Sequence, residues 1–175
     1  LVHEAYMKLV GGADPGWAYG LYYAIVGPLT LGACALLLDA PFSPATAWAV
    51  LADHRVTNFA AAPTVYRSLR AASDDVPELA LRRASSAGEP LTPDVNEWAA
   101  NALGVTVHHH YGQTEAGMLV NNHHHPDVAQ PLKPGSMGRP MPGWSIRVLE
   151  TDRDEPAEPG VVGRIAVQGA EVGLP

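Results

Sequence analysis

The chain has 175 residues, of which 47% are hydrophobic, so it is long enough to bury the core of one soluble, globular domain. Its formal net charge of −7 argues against a nucleic-acid-binding surface. The single cysteine, Cys34, lies in an apolar run and is predicted to be a core thiol, which leaves no disulfide framework.

No signal peptide is predicted, because the first residues lack a basic start followed by a long apolar run. The apolar stretch of residues 18–38 is interrupted by Pro28 and by glycines, so it is not a convincing membrane span. We therefore expect a cytoplasmic protein.

Turn residues and apolar runs predict the elements of the first part of the chain. Residues 1–12 are predicted to form a short helix that ends at glycines, and residues 14–17 to form a turn. Residues 19–26 are helical in length, and Pro28 should kink or end that segment. Residues 33–38, an apolar run between breakers, predict a buried strand.

Strands and helices alternate in the prediction for residues 33–110. Ser43 before Pro44, and Thr92 before Pro93, each combine an N-cap residue with proline at the first helical position. Helices are expected at residues 43–54, 63–72 and 92–104, and further strands at residues 57–61, 83–87 and 104–110. Such alternation implies an α/β fold with a mostly parallel sheet flanked by helices.

The C-terminal part has a different composition. Residues 121–142 are rich in Pro, Gly, His and Asn and are predicted to be loop. Residues 145–149 and 162–167 alternate apolar and polar residues, so they predict two strands joined by an acidic turn. We accordingly divide the chain into a lead-in (1–12), an α/β core (13–120) and a loop and β-rich segment (121–175).

The densest group of chemically useful residues is the stretch Tyr-Gly-Gln-Thr-Glu-Ala-Gly at positions 111–117. It follows a predicted strand, and a loop after a strand is where open α/β sheets bind ligands. Its glycines permit close backbone approach, its hydroxyl and amide can orient polar atoms, and its carboxylate can bind Mg²⁺. Composition alone is equally compatible with an ordinary β-loop.

This stretch resembles the signature of the adenylate-forming (AMP-binding) superfamily. Four further segments match the family in the same order: Ala-Asp-Pro-Gly-Trp at 13–17 with Gly-Pro-Leu at 27–29, Ala-Pro-Thr at 62–64, Ser-Ala-Gly-Glu-Pro-Leu at 86–91, and Lys-Pro-Gly-Ser-Met-Gly at 133–138. Their spacing is similar to that of the acetyl-CoA and medium-chain acyl-CoA synthetase branch. The resemblance covers residues 13–169 and implies part of the large N-terminal domain of such an enzyme.

The resemblance implies an ATP-dependent carboxylate–CoA ligase that forms an acyl-adenylate and then an acyl-CoA thioester. ATP, a carboxylic acid and coenzyme A would be its substrates, and Mg²⁺ its metal. The family's phosphate loop, ribose-binding aspartate and C-terminal lysine have no counterpart in this sequence, so we expect the chain alone to be inactive. The alternatives are a non-catalytic module that binds a nucleotide or a partner, or a His-rich metal-binding domain.

The resemblance also implies site residues. The nucleotide-binding residues would be Gly88, Glu89, Pro90, His109, His110, Tyr111, Gly112, Gln113 and Thr114. Thr114 and Glu115 would be the catalytic pair, with Thr114 on the phosphate and Glu115 binding Mg²⁺. His109 departs from the family, in which an acidic residue there often accepts a hydrogen bond from the adenine amino group. A neutral histidine with the right tautomer could replace it.

Four positions would line the acyl pocket by resemblance: Ala18, Tyr19, Ala87 and Gly112. Ala62 would lie on the CoA path. Acetate-activating relatives carry Trp where this chain has Gly112, so the small residues imply a deep pocket for medium-chain or aromatic acids. Alternatively, Gly112 serves only a backbone conformation with positive φ.

The histidine triplets at 108–110 and 123–125 offer a separate possibility. His108 and His110 would point the same way on a strand and could share a metal ion. Against this, no cysteine and no acid with ligand-like spacing accompanies them. The simpler prediction is loop histidines plus one or two residues that line the site.

Overall fold

The computed structural model describes residues 8–10, 16–72 and 75–168. A seven-stranded sheet organises them, in the spatial order β2-β1-β3-β4-β5-β6-β7. The strands are β1 (Lys8–Val10), β2 (Ala35–Leu37), β3 (Asn58–Ala60), β4 (Arg83–Ser86), β5 (Val107–Gln113), β6 (Gly117–Asn121) and β7 (Arg139–Pro140). Strands β1 to β5 pair in parallel, whereas β5–β6 and β6–β7 are antiparallel.

The helices lie between the strands as the alternation predicts. They are α1 (Ala18–Gly20), a π-helical stretch (Leu21–Val26), α2 (Gly27–Leu31), α3 (Pro44–Asp53), α4 (Pro63–Ala71) and α5 (Pro93–Ala102). Residues 18–31 form one continuous unit, which we call the π-containing helix. Pro28 therefore does not end the helix. In a regular α-helix the proline ring would collide with a backbone carbonyl of the preceding turn, and here the preceding turns are π-helical and wider.

Two clusters of buried side chains occupy opposite faces of the sheet. One cluster joins α3, α4 and α5 to the sheet through Leu51, Phe59, Tyr66, Val95 and Val107, among others. The second joins the π-containing helix to the sheet through Tyr19, Ala24, Ala60 and Ala87. Because successive side chains on a strand point to opposite faces, the neighbours Phe59 and Ala60 serve different clusters.

A separate antiparallel pair, β8 (Ser145–Leu149) and β9 (Arg164–Gln168), confirms the two strands predicted near the C-terminal end. The seven-stranded sheet itself extends from β1 to β7, past both boundaries drawn for the α/β core. No helix in the described part of the chain is long and apolar enough to cross a membrane.

Two local predictions are wrong. Residues 8–10 form strand β1 rather than part of a helix, because pairing with β2 and β3 outweighs local preference; residues 1–7 and 11–15, with the predicted turn at Asp14, lie outside the described residues. Cys34 is exposed rather than a core thiol, since it falls between α2 and β2.

Candidate active site

The signature forms a β-hairpin rather than the predicted loop. Strand β5 continues through Gln113, residues 114–116 make the turn, and β6 begins at Gly117. The turn closes through a hydrogen bond of 3.2 Å from the backbone N–H of Ala116 to the carbonyl of Gln113, and Gly117 adopts a φ of 70°. Thr114 and Glu115 are therefore exposed at the tip of a structured hairpin.

Gly112 is explained by close backbone approach across this hairpin. A side chain at Gly112 would collide with the carbonyl oxygen of Gly117 and with Cα of Met118, beside an irregularity in the β5–β6 register. Gly112 is not one of the positive-φ glycines, so the conformational explanation is wrong. The absence of a side chain there is thus no independent sign of a deep acyl pocket.

The loop after β4 presents backbone rather than side chain to the hairpin side. Gly88 has a φ of 101°, and a Cβ atom there would lie 2.5 Å from the indole ring of Trp17. The Glu89 carboxylate turns to α4, where it accepts hydrogen bonds from the backbone N–H of Thr64 (3.1 Å) and from Arg67 (2.7 Å). The bond from Arg67 lowers the pKa of the Glu89 carboxyl. Glu89 therefore anchors the loop onto α4.

His109 joins this loop to strand β5. Its Nε2 lies 3.0 Å from the carbonyl oxygen of Glu89, and because a carbonyl only accepts, Nε2 must carry the proton. Nδ1 is then an acceptor, and it is buried without a hydrogen-bond partner among the described residues. Burial lowers the pKa of His109, so the neutral ring persists at pH 7. The structure therefore sets the tautomer of His109, which the sequence leaves open: the proton is on Nε2.

The segment of residues 133–138 is tied to the same strand through Asn122. The Asn122 side chain donates to the carbonyl of His109 at 3.0 Å and to the carbonyl of Ser136 at 2.8 Å. A cavity of about 280 Å³ lies between this segment, α5 and His109. The last motif of the resemblance thus meets the signature strand in space.

The structure brings two of the four acyl-pocket positions into contact. Tyr19 and Ala87 are both buried in the cluster beneath the π-containing helix, and Met118, opposite Gly112 on the hairpin, packs against them. The Tyr19 hydroxyl hydrogen-bonds Ser85 Oγ at 3.2 Å. Ala18 is half-buried, on the same helix as Tyr19.

Other assigned positions surround this cluster. Ala62, assigned to the CoA path, is buried at the N-terminal cap of α4. Pro90 is exposed in the loop after β4, and on the hairpin Tyr111 is half-buried and Gln113 is exposed. Their roles toward a ligand stay predictions.

The histidine triplets do not converge as metal ligands. His108 stacks on His124 with ring centroids 3.6 Å apart and donates from Nδ1 to the carbonyl of Asn122 at 2.9 Å. Within residues 8–10, 16–72 and 75–168, no group of three or more His, Cys, Asp or Glu side chains could hold a metal ion. His110 instead turns into a cavity under the π-containing helix.

Several residues of this region were missed by reading the sequence. Arg67 and Ser85 form hydrogen bonds with residues 22 and 66 positions away, so no pattern of neighbouring residues in the sequence indicates them. Asn122 follows the strand directly, yet only the folded chain shows that it joins two segments.

Comparisons with known proteins agree with this architecture. The AMP-binding enzyme family matches residues 3–174. Human mitochondrial acyl-coenzyme A synthetase ACSM3 is 34% identical over 160 residues, which cover 89% of this chain and 26% of that protein. Acetyl-coenzyme A synthetase of Bacillus subtilis (strain 168) is 32% identical over 161 residues, with 89% and 27% covered.

A solved structure gives the same result. The crystal structure of a Brucella canis acyl-CoA synthetase superposes with a TM-score of 0.83 at 38% identity, covering 98% of this chain and 32% of that one. The chain spans about a quarter of the length of the curated relatives it matches. By sequence and by fold, it belongs to the AMP-binding enzyme family.

Proposed function

We propose that this chain is part of an acyl-CoA synthetase, which joins a carboxylic acid to coenzyme A at the expense of ATP. One observation carries the proposal: His109, on the strand that leads into the hairpin at 111–117, hydrogen-bonds the loop at 88–90, which lies 20 positions earlier in the sequence. The named activities of the relatives support the reaction class.

The adenine of ATP would lie between the backbone of residues 88–90 and the ring of Tyr111. His109 fits the adenine amino group, since its free Nδ1 can accept an N–H bond where relatives use an acid. Thr114, exposed at the hairpin tip, would donate its hydroxyl to a phosphate oxygen. The Glu89 carboxylate is committed to α4, so only its backbone would face the nucleotide.

The donor set at the hairpin tip fits Mg²⁺. The Glu115 carboxylate is exposed, and Mg²⁺ is typically bound by one or two carboxylates together with substrate phosphates. When bound, the ion would neutralise negative charge on the phosphates.

The reaction would take two steps. A carboxylate oxygen of the acid attacks the α-phosphorus of ATP and pyrophosphate leaves; the thiol sulfur of coenzyme A then attacks the acyl carbon and AMP leaves. Positioning and electrostatic stabilisation by the protein account for most catalysis of such phosphoryl chemistry. Because Ala18 and Ala87 are small, we expect medium-chain or aromatic acids as substrates, and a cytoplasmic location remains our expectation.

The test is pyrophosphate release by the longer protein that contains this chain, with ATP, Mg²⁺ and a panel of carboxylic acids. We expect Glu115→Gln to lower the rate about 10²-fold, as for loss of a contact that stabilises transition-state charge. Glu155→Gln changes another exposed acid, in the β8–β9 turn outside the signature, so it is the control and should retain the parental rate.

Near-parental turnover by Glu115→Gln at limiting Mg²⁺ would contradict the assigned role. If no acid supports pyrophosphate release while ATP still binds, the non-catalytic nucleotide-binding module replaces the enzyme. Residues 1–175 alone are expected to release no pyrophosphate, because they span only a quarter of the curated relatives.

A further inference from the structure

A second cavity, of about 370 Å³, lies on the face of the sheet that the π-containing helix covers. Its apolar walls include Tyr23, Leu31 and Ala60. Its polar lining includes Asn58, Ser85, His110, Asn121 and His124. A cavity of this volume falls within the range of small-molecule sites, which combine apolar walls with a few convergent polar groups.

The polar lining has unused hydrogen-bonding capacity. His110 is only 3% exposed, and Asn121 is its one side-chain hydrogen-bonding neighbour among the described residues, so one ring nitrogen is left without a partner. Nε2 of His124 is likewise buried without a partner among the described residues. Buried polar atoms are normally paired, because leaving them unpaired costs free energy. Two imidazole rings in one cavity, each with an unpaired nitrogen, indicate a ligand that supplies the partners.

The cavity lining carries no buried charge. Burial lowers the pKa of His110 to about 3 and that of His124 to about 4, so both rings are neutral at pH 7. The other titratable groups that face these two rings are His108, which stacks on His124, His109 and Tyr23 beside His110, and Arg83, which is exposed and has interactions of its own. A neutral imidazole offers one donor and one acceptor, which matches a hydroxyl group better than a carboxylate.

The cavity adjoins the positions assigned to the acyl pocket. Tyr23 packs on Tyr19 with ring centroids 4.7 Å apart and stacks on His110 at 5.8 Å. Ser85, which lines the cavity, hydrogen-bonds the Tyr19 hydroxyl. An acid whose carboxylate faces the hairpin could therefore extend its far end past Tyr19 toward His110.

We propose that this cavity receives the far end of the acid substrate and selects acids with an apolar body and a distal hydroxyl group. The hydroxyl would donate to the ring nitrogen of His110 that Asn121 leaves without a partner. The assignment of the cavity rests on the proposed acyl-CoA synthetase function and names the class of acid that this enzyme would use.

The test measures kcat/KM for pyrophosphate release by the longer protein with matched acids: benzoate against 4-hydroxybenzoate, and hexanoate against 6-hydroxyhexanoate. We expect each hydroxylated acid to be favoured about 10-fold, because a site built to bind a hydroxyl rejects the analogue that lacks it. His110→Leu should remove that preference, whereas His110→Gln, with both a donor and an acceptor, should retain it. His125→Leu, an exposed histidine outside the cavity, should change nothing.

A preference for the unhydroxylated acids, or a His110→Leu variant that keeps the hydroxyl preference, would overturn the proposal. Adipate favoured over 6-hydroxyhexanoate would overturn it in favour of an anionic far end. If His110→Leu does not fold, Asn121→Leu replaces it with the same expected loss of preference.

A binding measurement separates this proposal from the proposed function. Calorimetric titration of the acids without ATP should give tighter binding of the hydroxylated member of each pair, and His110→Leu should lose that difference. Failure of every acid in the pyrophosphate assay, with this binding difference intact, would refute the enzyme reaction and keep the site. Equal binding within each pair would refute the site.

Discussion

At the residue scale, His109 holds two segments of the site with a single ring. Its Nε2–H donates to the loop at residue 89, and its backbone carbonyl accepts from Asn122, which also bonds the segment at 133–138. The remaining ring nitrogen, Nδ1, is buried and unpaired among the described residues. An unpaired buried acceptor in a cleft is a candidate contact for a ligand donor.

We therefore expect His109→Leu to raise the KM for ATP about 10-fold in the longer protein, the scale of one net hydrogen bond, with a smaller change in kcat. His109→Gln can donate to the Glu89 carbonyl and still accept, so it should stay close to the parental KM. Steady-state kinetics with ATP varied measures both variants. An unchanged KM in His109→Leu would contradict the adenine contact.

At the element scale, two helices that begin with the same sequence pattern are capped differently. Ser43 Oγ accepts a hydrogen bond of 3.1 Å from the backbone N–H of Thr46 at the start of α3. Thr92 stands in the same position before α5, but its side chain makes no capping bond. It bonds the Asp94 carboxylate instead, which lowers the pKa of that carboxyl together with Arg70.

Ser43→Ala should lower the free energy of unfolding by about 1 kcal/mol, the usual value of a side-chain N-cap. Thr92→Ala should lower it by less, because no backbone N–H loses its partner. Urea unfolding of both variants, with the unmutated protein alongside, gives the comparison. Equal losses would show that the position matters and the capping bond does not.

At the scale of the whole molecule, two neutral histidines that line the cavity beneath the π-containing helix, the buried His110 and the half-buried His124, couple folding to pH. The folded pKa values of His110 (about 3) and His124 (about 4) lie below the usual 6.5, mainly because burial disfavours the charged ring. At pH values between these folded pKa values and 6.5, the two histidines bind more protons in the unfolded chain than in the folded one. Stability is therefore greatest above about pH 6.5 and falls as the pH drops toward 4.

The melting temperature should accordingly decrease steadily from pH 7.5 to pH 5, above the range in which most carboxylates titrate. His110→Gln removes one of the rings whose pKa is lowered in the folded chain, so its melting temperature should depend less on pH over the same interval. Differential scanning calorimetry in matched buffers measures both slopes. Identical slopes for the variant and the parent would contradict a neutral buried His110.

Local signals in the sequence were sufficient for most elements of the chain. Proline at the first helical position predicted α3, α4 and α5, and an apolar run between breakers predicted β2. Five motifs in order predicted the family, which the match over residues 3–174 confirms. These features are readable because each depends on residues close together in the chain.

Tertiary structure decided what depends on partners distant in the chain. Strand β1 exists because β2 and β3 pair with it, and Gly112 is required because Gly117 approaches across the hairpin. The tautomer of His109 follows from a carbonyl 20 residues earlier. The sequence by itself determined which residue types stand at the site, whereas the packing of separate strands determined their hydrogen bonds, their burial and hence their charge.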